Sequence, residues 1–370
     1  MEQRQRAVES LGVSNLFNNA YHNRRVLLTG HTGFKGSWLA LWLTSMGAQV
    51  TGLSLPPDTT PNHWDVLGLN IHEYHIDIRD AQALAAAVAD SKPDIVFHLA
   101  AQSLVRRSYH APLDTWSVNV MGTVNLLDAC RSAPNLRGVV VVTTDKCYEN
   151  DESGRAYHEN DRLGGHDPYS ASKAATELAV ASYRDSFFHH DGAPLIATAR
   201  AGNVIGGGDW AADRLIPDLV RAQDHGQSLG IRSPHSTRPW QHVLEPLSGY
   251  LQLGQGLLAG NKNCAGAWNF GPDDNAALSV SAFLDQLRPH WPGMAWHIEG
   301  TPSLHEAALL RLDSTKARSG LNWKPVLTLP QQCELTAAWY HAYRTEKSVI
   351  SAQQLQTYIA AATSSGAAWC

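Results

Sequence analysis

Cysteine is scarce in this chain of 370 residues: Cys130, Cys147, Cys264, Cys333 and Cys370 are odd in number, scattered, and form no Cys-x-x-Cys pair. Such a set frames neither a disulfide-stapled fold nor a zinc site, and it fits the reduced thiols of a cytoplasmic protein. No run approaches the roughly 18 apolar residues of a membrane helix. Residues 1–22 hold Glu2, Arg4, Arg6 and Glu9 but no apolar stretch of signal-peptide length, so a polar leader is expected there. The net charge of −5 is too small to suggest nucleic acid or an anionic membrane as partner. The 18 histidines show no metal-ligand spacing, and no metal is expected. Internal repeats and low-complexity tracts are absent too. What remains, 44% hydrophobic and 17% charged, is ordinary globular composition, long enough for one large domain with a smaller lobe.

The stretch the chain is organised around is 26–38, VLLTGHTGFKGSW. A short apolar run reads as a buried strand, and Leu39, Leu41, Trp42, Leu43 and Met46 follow with the crowding of a helix packed on a sheet. Between them glycines fall at Gly30, Gly33 and Gly36. A strand-to-helix turn of this kind lets backbone approach a pyrophosphate, whose charge the helix N-terminus then receives. The spacing is Gly-x-x-Gly-x-x-Gly, not the commoner Gly-x-Gly-x-x-Gly, and taken alone it equally fits a turn with no ligand. Strands are expected at 49–53, 74–78, 94–101, 138–144 and 195–200, with helices at 81–89, 112–131 and 168–188. This alternation predicts an α/β fold, a doubly wound parallel Rossmann sheet. The acid that often ends the second strand and holds the adenosine ribose is missing: Ser54, Leu55, Pro56 and Pro57 stand there, with Asp58 nearest. No arginine awaits a 2′-phosphate either, which favours NAD over NADP.

After Asn203 the pattern turns irregular, starting with Gly206-Gly207-Gly208 and a short strand at 228–232. The expected division is a leader at 1–22, a dinucleotide-binding domain at 23–203, a smaller mixed substrate-binding lobe at 204–350, and a tail at 351–370. A piece near 243–260 is expected to return to the main sheet.

Two further clusters carry chemistry. Tyr169 and Lys173 are four residues apart and share a helix face. A lysine ammonium, like an oxidised nicotinamide, favours the phenolate a tyrosine base requires. The bland reading is a surface pair; placement after the fifth strand of such a sheet instead puts it in the ligand crevice. Thr144, Asp145 and Lys146 end that strand. Thr144 can share a substrate hydroxyl with Tyr169, while Asp145 and Lys146 supply a second acid/base pair, which an elimination of water needs and a plain dehydrogenation does not. A surface ion pair is the alternative.

Together these residues resemble the extended short-chain dehydrogenase/reductases, and among them the nucleotide-sugar 4,6-dehydratases that take CDP-D-glucose. The likeness runs over about 25–324, through 29–38 (TGHTGFKGSW), 97–102 (FHLAAQ), 119–125 (NVMGTVN), 144–150 (TDKCYEN), 167–173 (DPYSASK), 200–210 (RAGNVIGGGDW), 214–218 (RLIPD), 238–250 (RPWQHVLEPLSGY) and 268–272 (WNFGP). Asp-Lys at 145–146 is the telling pair, since dTDP-glucose relatives carry Asp-Glu there and the epimerases lack the acid. The resemblance implies NAD as cofactor, a homodimer built through helices 112–131 and 168–188, and no metal. It implies catalytic roles for Thr144, Asp145, Lys146, Tyr169 and Lys173. NAD would be held by Gly30, Thr32, Gly33, Phe34, Lys35, Gly36, Asp77, Ile78, Leu99, Ala100, Gln102, Asn119 and Thr143, together with Tyr169 and Lys173. Asn203, Arg214, Leu215, Arg238 and Trp240 would meet the nucleotide sugar, with a capped turn the plain alternative for Asn203 and core packing for Trp240. A 4-epimerase, a dehydratase of another nucleotide sugar and a non-catalytic NAD-sensing protein remain as other readings; Asp145 and Lys146 argue against the first, Tyr169 and Lys173 against the last.

Overall fold

The computed structural model describes residues 15–272, 277–300 and 309–370. Its main sheet has seven strands: β1 (Arg25–Thr29), β2 (Gln49–Ser54), β3 (His72–His75), β4 (Ile95–His98), β5 (Gly138–Val142), β6 (Leu195–Ala201) and β7 (Gly266–Phe270). All pair in parallel, in the order β7-β6-β5-β4-β1-β2-β3. Chain direction across the sheet reverses between β1 and β4, and ligands of such sheets bind outside the carboxyl ends of the strands at that point. The doubly wound parallel sheet expected from the alternation is therefore the one that forms.

β5 reads Gly-Val-Val-Val-Val and is buried throughout. Val140 and Val142 join a large core with Trp38, Trp42 and Tyr250, while Val139 and Val141 join a second one with Leu27, Leu126, Leu127 and Val180. Both faces are covered, which is why the run is continuously apolar. β3 ends three residues before the expected stretch does, because Asp77 closes a turn: its carboxylate accepts from the Arg79 N–H at 2.9 Å and its carbonyl from the Asp80 N–H at 2.9 Å. Asp80 then caps the following helix through the Ala83 N–H at 3.0 Å.

Four helices matter for the site: α1 (Phe34–Ser45), α2 (Ala81–Ser91), α3 (Gly122–Cys130) and α4 (Pro168–Phe187). The single helix expected over 112–131 is instead Pro112–Trp116, a π-helical turn at Ser117–Met121, and α3. The Asn119 carbonyl inside that turn accepts the hydroxyls of Thr123 (2.7 Å) and Thr176 (2.9 Å), while its side-chain amide reaches Ser172 at 2.9 Å. α4 begins as its sequence dictates: the Asp167 carboxylate accepts from the Ser170 N–H at 2.9 Å and Pro168 takes the first helical position.

Beyond residue 204 the chain contributes α5 (Leu215–Asp224), α6 (Leu244–Leu258) and two-stranded ribbons. α6 packs against β5 and β6, and β7 extends the main sheet beside β6, so more of this region returns to the sheet than the piece at 243–260. Described residues toward both ends of the sequence join the core as well. In the part of the expected leader that is described, Leu16, Phe17 and Tyr21 are buried. Phe17 stacks on Trp369 at 5.1 Å, and the Tyr21 hydroxyl reaches the Leu251 carbonyl at 2.5 Å. Ser351–Ser364, expected as tail, is a helix that lays Tyr358 across Trp42 of α1. Residues 1–14 of the leader lie outside the described residues.

Candidate active site

A cavity of about 710 Å³ opens along the carboxyl ends of the strands. At one end Gly30 sits at φ +76°, and a Cβ there would stand 2.6 Å from the Ala100 nitrogen; one on Gly36 would stand 2.0 Å from the Gly30 carbonyl oxygen. Any side chain at either position would therefore force backbone apart. Thr32 ties the loop to β2 through Ser54 (2.8 Å) and the Leu55 carbonyl (3.0 Å). Gly33 caps α1 with no side chain, so the first-turn amides stay available to an anion. The cradle thus fits the pyrophosphate of a dinucleotide, with Phe34 along its wall.

Asp77, Ile78, Leu99, Ala100 and Gln102 line the same cavity beside Ser54 to Asp58. Arg79 also reaches this end, yet its guanidinium is engaged by Asp77 and Asp114, which leaves it ill placed to take a 2′-phosphate. Gln102 spends its side chain on Leu104 (2.7 and 3.1 Å) and Thr115 (2.9 Å). Asn119 is not among the cavity-lining residues, unlike the rest of the expected cofactor set. Its amide bonds both backbone groups of Gln102 (2.8 and 3.0 Å) and the Ser172 hydroxyl (2.9 Å). It joins the β4 loop to α4 instead of facing a ligand. Thr143 lines the cavity but turns its hydroxyl inward to Glu177 at 2.5 Å.

Thr144, Asp145, Lys146, Tyr169 and Lys173 all converge on the cavity. Tyr169 and Lys173 are buried on one face of α4, and the Lys173 ammonium donates to the Val142 carbonyl at 3.3 Å. Burial lowers Lys173 to about 8. Burial also raises the Tyr169 phenol to about 12, with its hydrogen bond to the Thr144 hydroxyl opposing. In the chain alone the cost of removing a phenolate from water is the largest influence on Tyr169. Asp145 is 1% exposed. Its Oδ1 accepts from the Thr144 hydroxyl at 3.0 Å, while its Oδ2 is buried without a hydrogen-bond partner. Burial pushes its carboxyl up, against the pull of Lys146, Thr144, Arg238 and Lys35.

Asn203, Arg214, Leu215, Arg238 and Trp240 line the same cavity. Arg214 is held by Asp209 (3.3 Å) and Ser103 (3.1 Å), across the cavity mouth. Arg238 is buried and donates to the Thr237 carbonyl at 3.0 Å. Trp240 stacks on Phe283 at 4.3 Å and bonds the Leu278 carbonyl at 3.1 Å, so most of its ring belongs to the core.

Sequence reasoning missed Tyr250, Ser103, Asp209 and the bridge in which Asp213 joins Arg106 (3.4 Å) to Arg232 (3.3 Å). The half-buried Lys35 ammonium reaches the Tyr250 hydroxyl at 3.3 Å, and loss of water around it lowers it to about 7, with Arg214 and Lys173 adding to the effect. No local spacing signals that pair, whose members are 215 residues apart.

Residues 26–263 match the NAD dependent epimerase/dehydratase family. A CDP-glucose 4,6-dehydratase from Salmonella typhimurium is 46% identical over 354 residues, 93% of this chain and 99% of that protein. A dTDP-glucose 4,6-dehydratase from Xanthomonas campestris pv. campestris is 28% identical over 341 residues, 86% of this chain and 93% of that one. In structure, the chain resembles a dTDP-glucose 4,6-dehydratase from Streptomyces venezuelae solved with NAD, at a TM-score of 0.72 and 24% identity over 87% of this chain and 97% of that one.

Proposed function

Because this chain belongs to the NAD dependent epimerase/dehydratase family, we propose that it is a CDP-glucose 4,6-dehydratase, a hydro-lyase that converts CDP-D-glucose into CDP-4-dehydro-6-deoxy-D-glucose and water. The glycine cradle, with Ile78, Leu99 and Ala100, would hold NAD. When bound, NAD accepts hydride from C4 of the sugar, returns it to C6, and lends the field of its cationic nicotinamide.

In this reading Tyr169, hydrogen-bonded to Thr144, takes the proton of the 4-hydroxyl, and Lys173 holds the site positive. A carbonyl at C4 acidifies the C5 hydrogen. Lys146 removes that proton, Asp145 protonates the 6-hydroxyl, and water departs to leave a 4-keto-5,6-ene; once hydride is back on C6, Lys146 returns a proton to C5 and the 4-dehydro-6-deoxy sugar is complete. Arg214 and Arg238 face the diphosphate, for which guanidinium forks are suited. The observation that carries the dehydratase over an epimerase is Asp145: a carboxyl buried in the cavity, with an unpartnered oxygen and its proton affinity raised by burial, is built to donate a proton.

The test is purified protein with NAD and CDP-, dTDP-, UDP- and GDP-glucose in parallel, products read by mass. Loss of one water from CDP-glucose alone is expected. An unchanged mass with a new sugar by NMR would mean epimerisation and overturn the roles of Asp145 and Lys146. We further propose a cytoplasmic homodimer. Five of the seven large apolar side chains exposed among the described residues lie on Pro112–Met121 and α4, namely Leu113, Trp116, Met121, Leu178 and Phe187. Four of the five cysteines are buried free thiols, which suits a reducing compartment.

A further inference from the structure

We infer that Asp218 reads the base of the substrate, its Oδ2 accepting a hydrogen from the exocyclic amino group of cytosine and rejecting the carbonyl that uracil and thymine carry at that ring position. The inference rests on the nucleotide-sugar reading above and adds the side chain that would select the nucleotide.

Past Arg214 the cavity is lined by Leu215, Asp218 and the short strand Leu229–Ile231. The Leu229 N–H donates to Ala295 at 2.9 Å, and the Ile231 carbonyl accepts from Glu299 at 2.9 Å. Both residues thus face the neighbouring strand Trp296–Ile298, their partner in a sheet of two strands. Successive residues of a strand point their amide groups to opposite sides. Gly230, between them, therefore turns its N–H and C=O to the open edge, while the Glu299 carboxylate lies against its α-carbon, 2.7 Å from where a Cβ would stand.

That edge offers one donor and one acceptor. Cytosine answers with an acceptor ring nitrogen and a donor amino group; uracil and thymine answer with a donor ring N–H and an acceptor carbonyl. Backbone alone can satisfy either base. Discrimination needs a group of one polarity, and a carboxylate only accepts while ionised, the state that the Arg221 ion pair favours at Asp218 against the burial that raises it. Asp209 on this side is paired with Arg214, and Asp213 is shared by Arg106 and Arg232. Asp218 stands in the first turn of α5 with its side chain 28% exposed and Arg221 on Oδ1, leaving Oδ2 to a ligand. A site that hydrogen-bonds one group rejects an analogue lacking it far more strongly than an apolar pocket does.

The decisive experiment is calorimetric titration of the full-length protein with CDP, UDP and the diphosphate of the 4-deamino pyrimidinone riboside. The wild type should prefer CDP over both by about tenfold or more. Asp218→Asn, whose amide can donate to a carbonyl, should shift the CDP/UDP ratio toward UDP by about tenfold, and Asp218→Leu should bind CDP and the deamino analogue equally. An unchanged ratio in both variants, with melting curves like the wild type, overturns the proposal. So does equal binding of CDP and the deamino analogue by the wild type, a result that needs no variant to fold. Failure of the dehydratase reading would show separately, as CDP-glucose that loses no water while the preference for CDP persists.

Discussion

Asp145 and Glu177 are both buried carboxylates close to the end of β5, and they are treated in opposite ways. Glu177 accepts from Thr143 (2.5 Å), Thr198 (2.7 Å) and Arg200 through Nε (2.9 Å) and Nη2 (2.8 Å). Burial pushes its carboxyl up, yet the Arg200 guanidinium and the two hydroxyls outweigh that and hold it below the usual range. Asp145 has Thr144 on one oxygen and nothing on the other, and burial raises it. Saturation makes a buried charge structural; a missing partner keeps its proton available to a ligand. The pair separates what holds the cavity from what works in it.

Removing each acid in turn separates the two roles. Asp145→Asn should lower turnover of CDP-glucose by roughly 10²–10⁴, the span of a lost general acid, with the chain still folded; product mass and a melting curve report both. Lys146→Ala should abolish solvent deuterium entry at C5 while hydride transfer from C4 persists in single turnover, and retained exchange would remove Lys146 as the base. Glu177→Ala should instead cost about 3–5 kcal/mol of stability, since Arg200 would be left buried and uncompensated; denaturant titration measures it. A smaller effect is the opposite pH dependence of the two acids. Glu177, depressed on folding, contributes stability above its unfolded value near 4.5 that is lost as pH falls through its folded value. Asp145, raised on folding, contributes below its unfolded value near 3.8, and that contribution is lost as pH rises through its folded value. The stability of Asp145→Asn relative to wild type should therefore grow as pH rises from about 4, and a flat difference would mean that Asp145 ionises freely. On the surface, Leu178→Arg should shift the protein toward monomer in light scattering with little change in fold.

Much of the site could be read in the chain because its logic is local. Gly30 and Gly36 are separated by the length of one turn, and Asp167, Tyr169 and Lys173 set a helix start and one face of it. Where the reading failed, a distant partner had intervened. Asn119 looked like a cofactor residue inside a continuous helix; Thr176, 57 residues away, takes its carbonyl and Ser172 its amide.

By itself the sequence determined the parallel sheet, the glycine cradle, and the presence of Thr144, Asp145, Lys146, Tyr169 and Lys173 at the ends and faces that open on the cavity. Periodicity, capping and chain stiffness act over a few residues, and those suffice for it. Only the tertiary structure decided that Phe17 would stack on Trp369, that Lys35 would lie against Tyr250, and that Glu177 would be saturated while Asp145 was left with a bare oxygen. Each of these depends on which surfaces lose their water together, a property of the packed chain and not of any stretch within it.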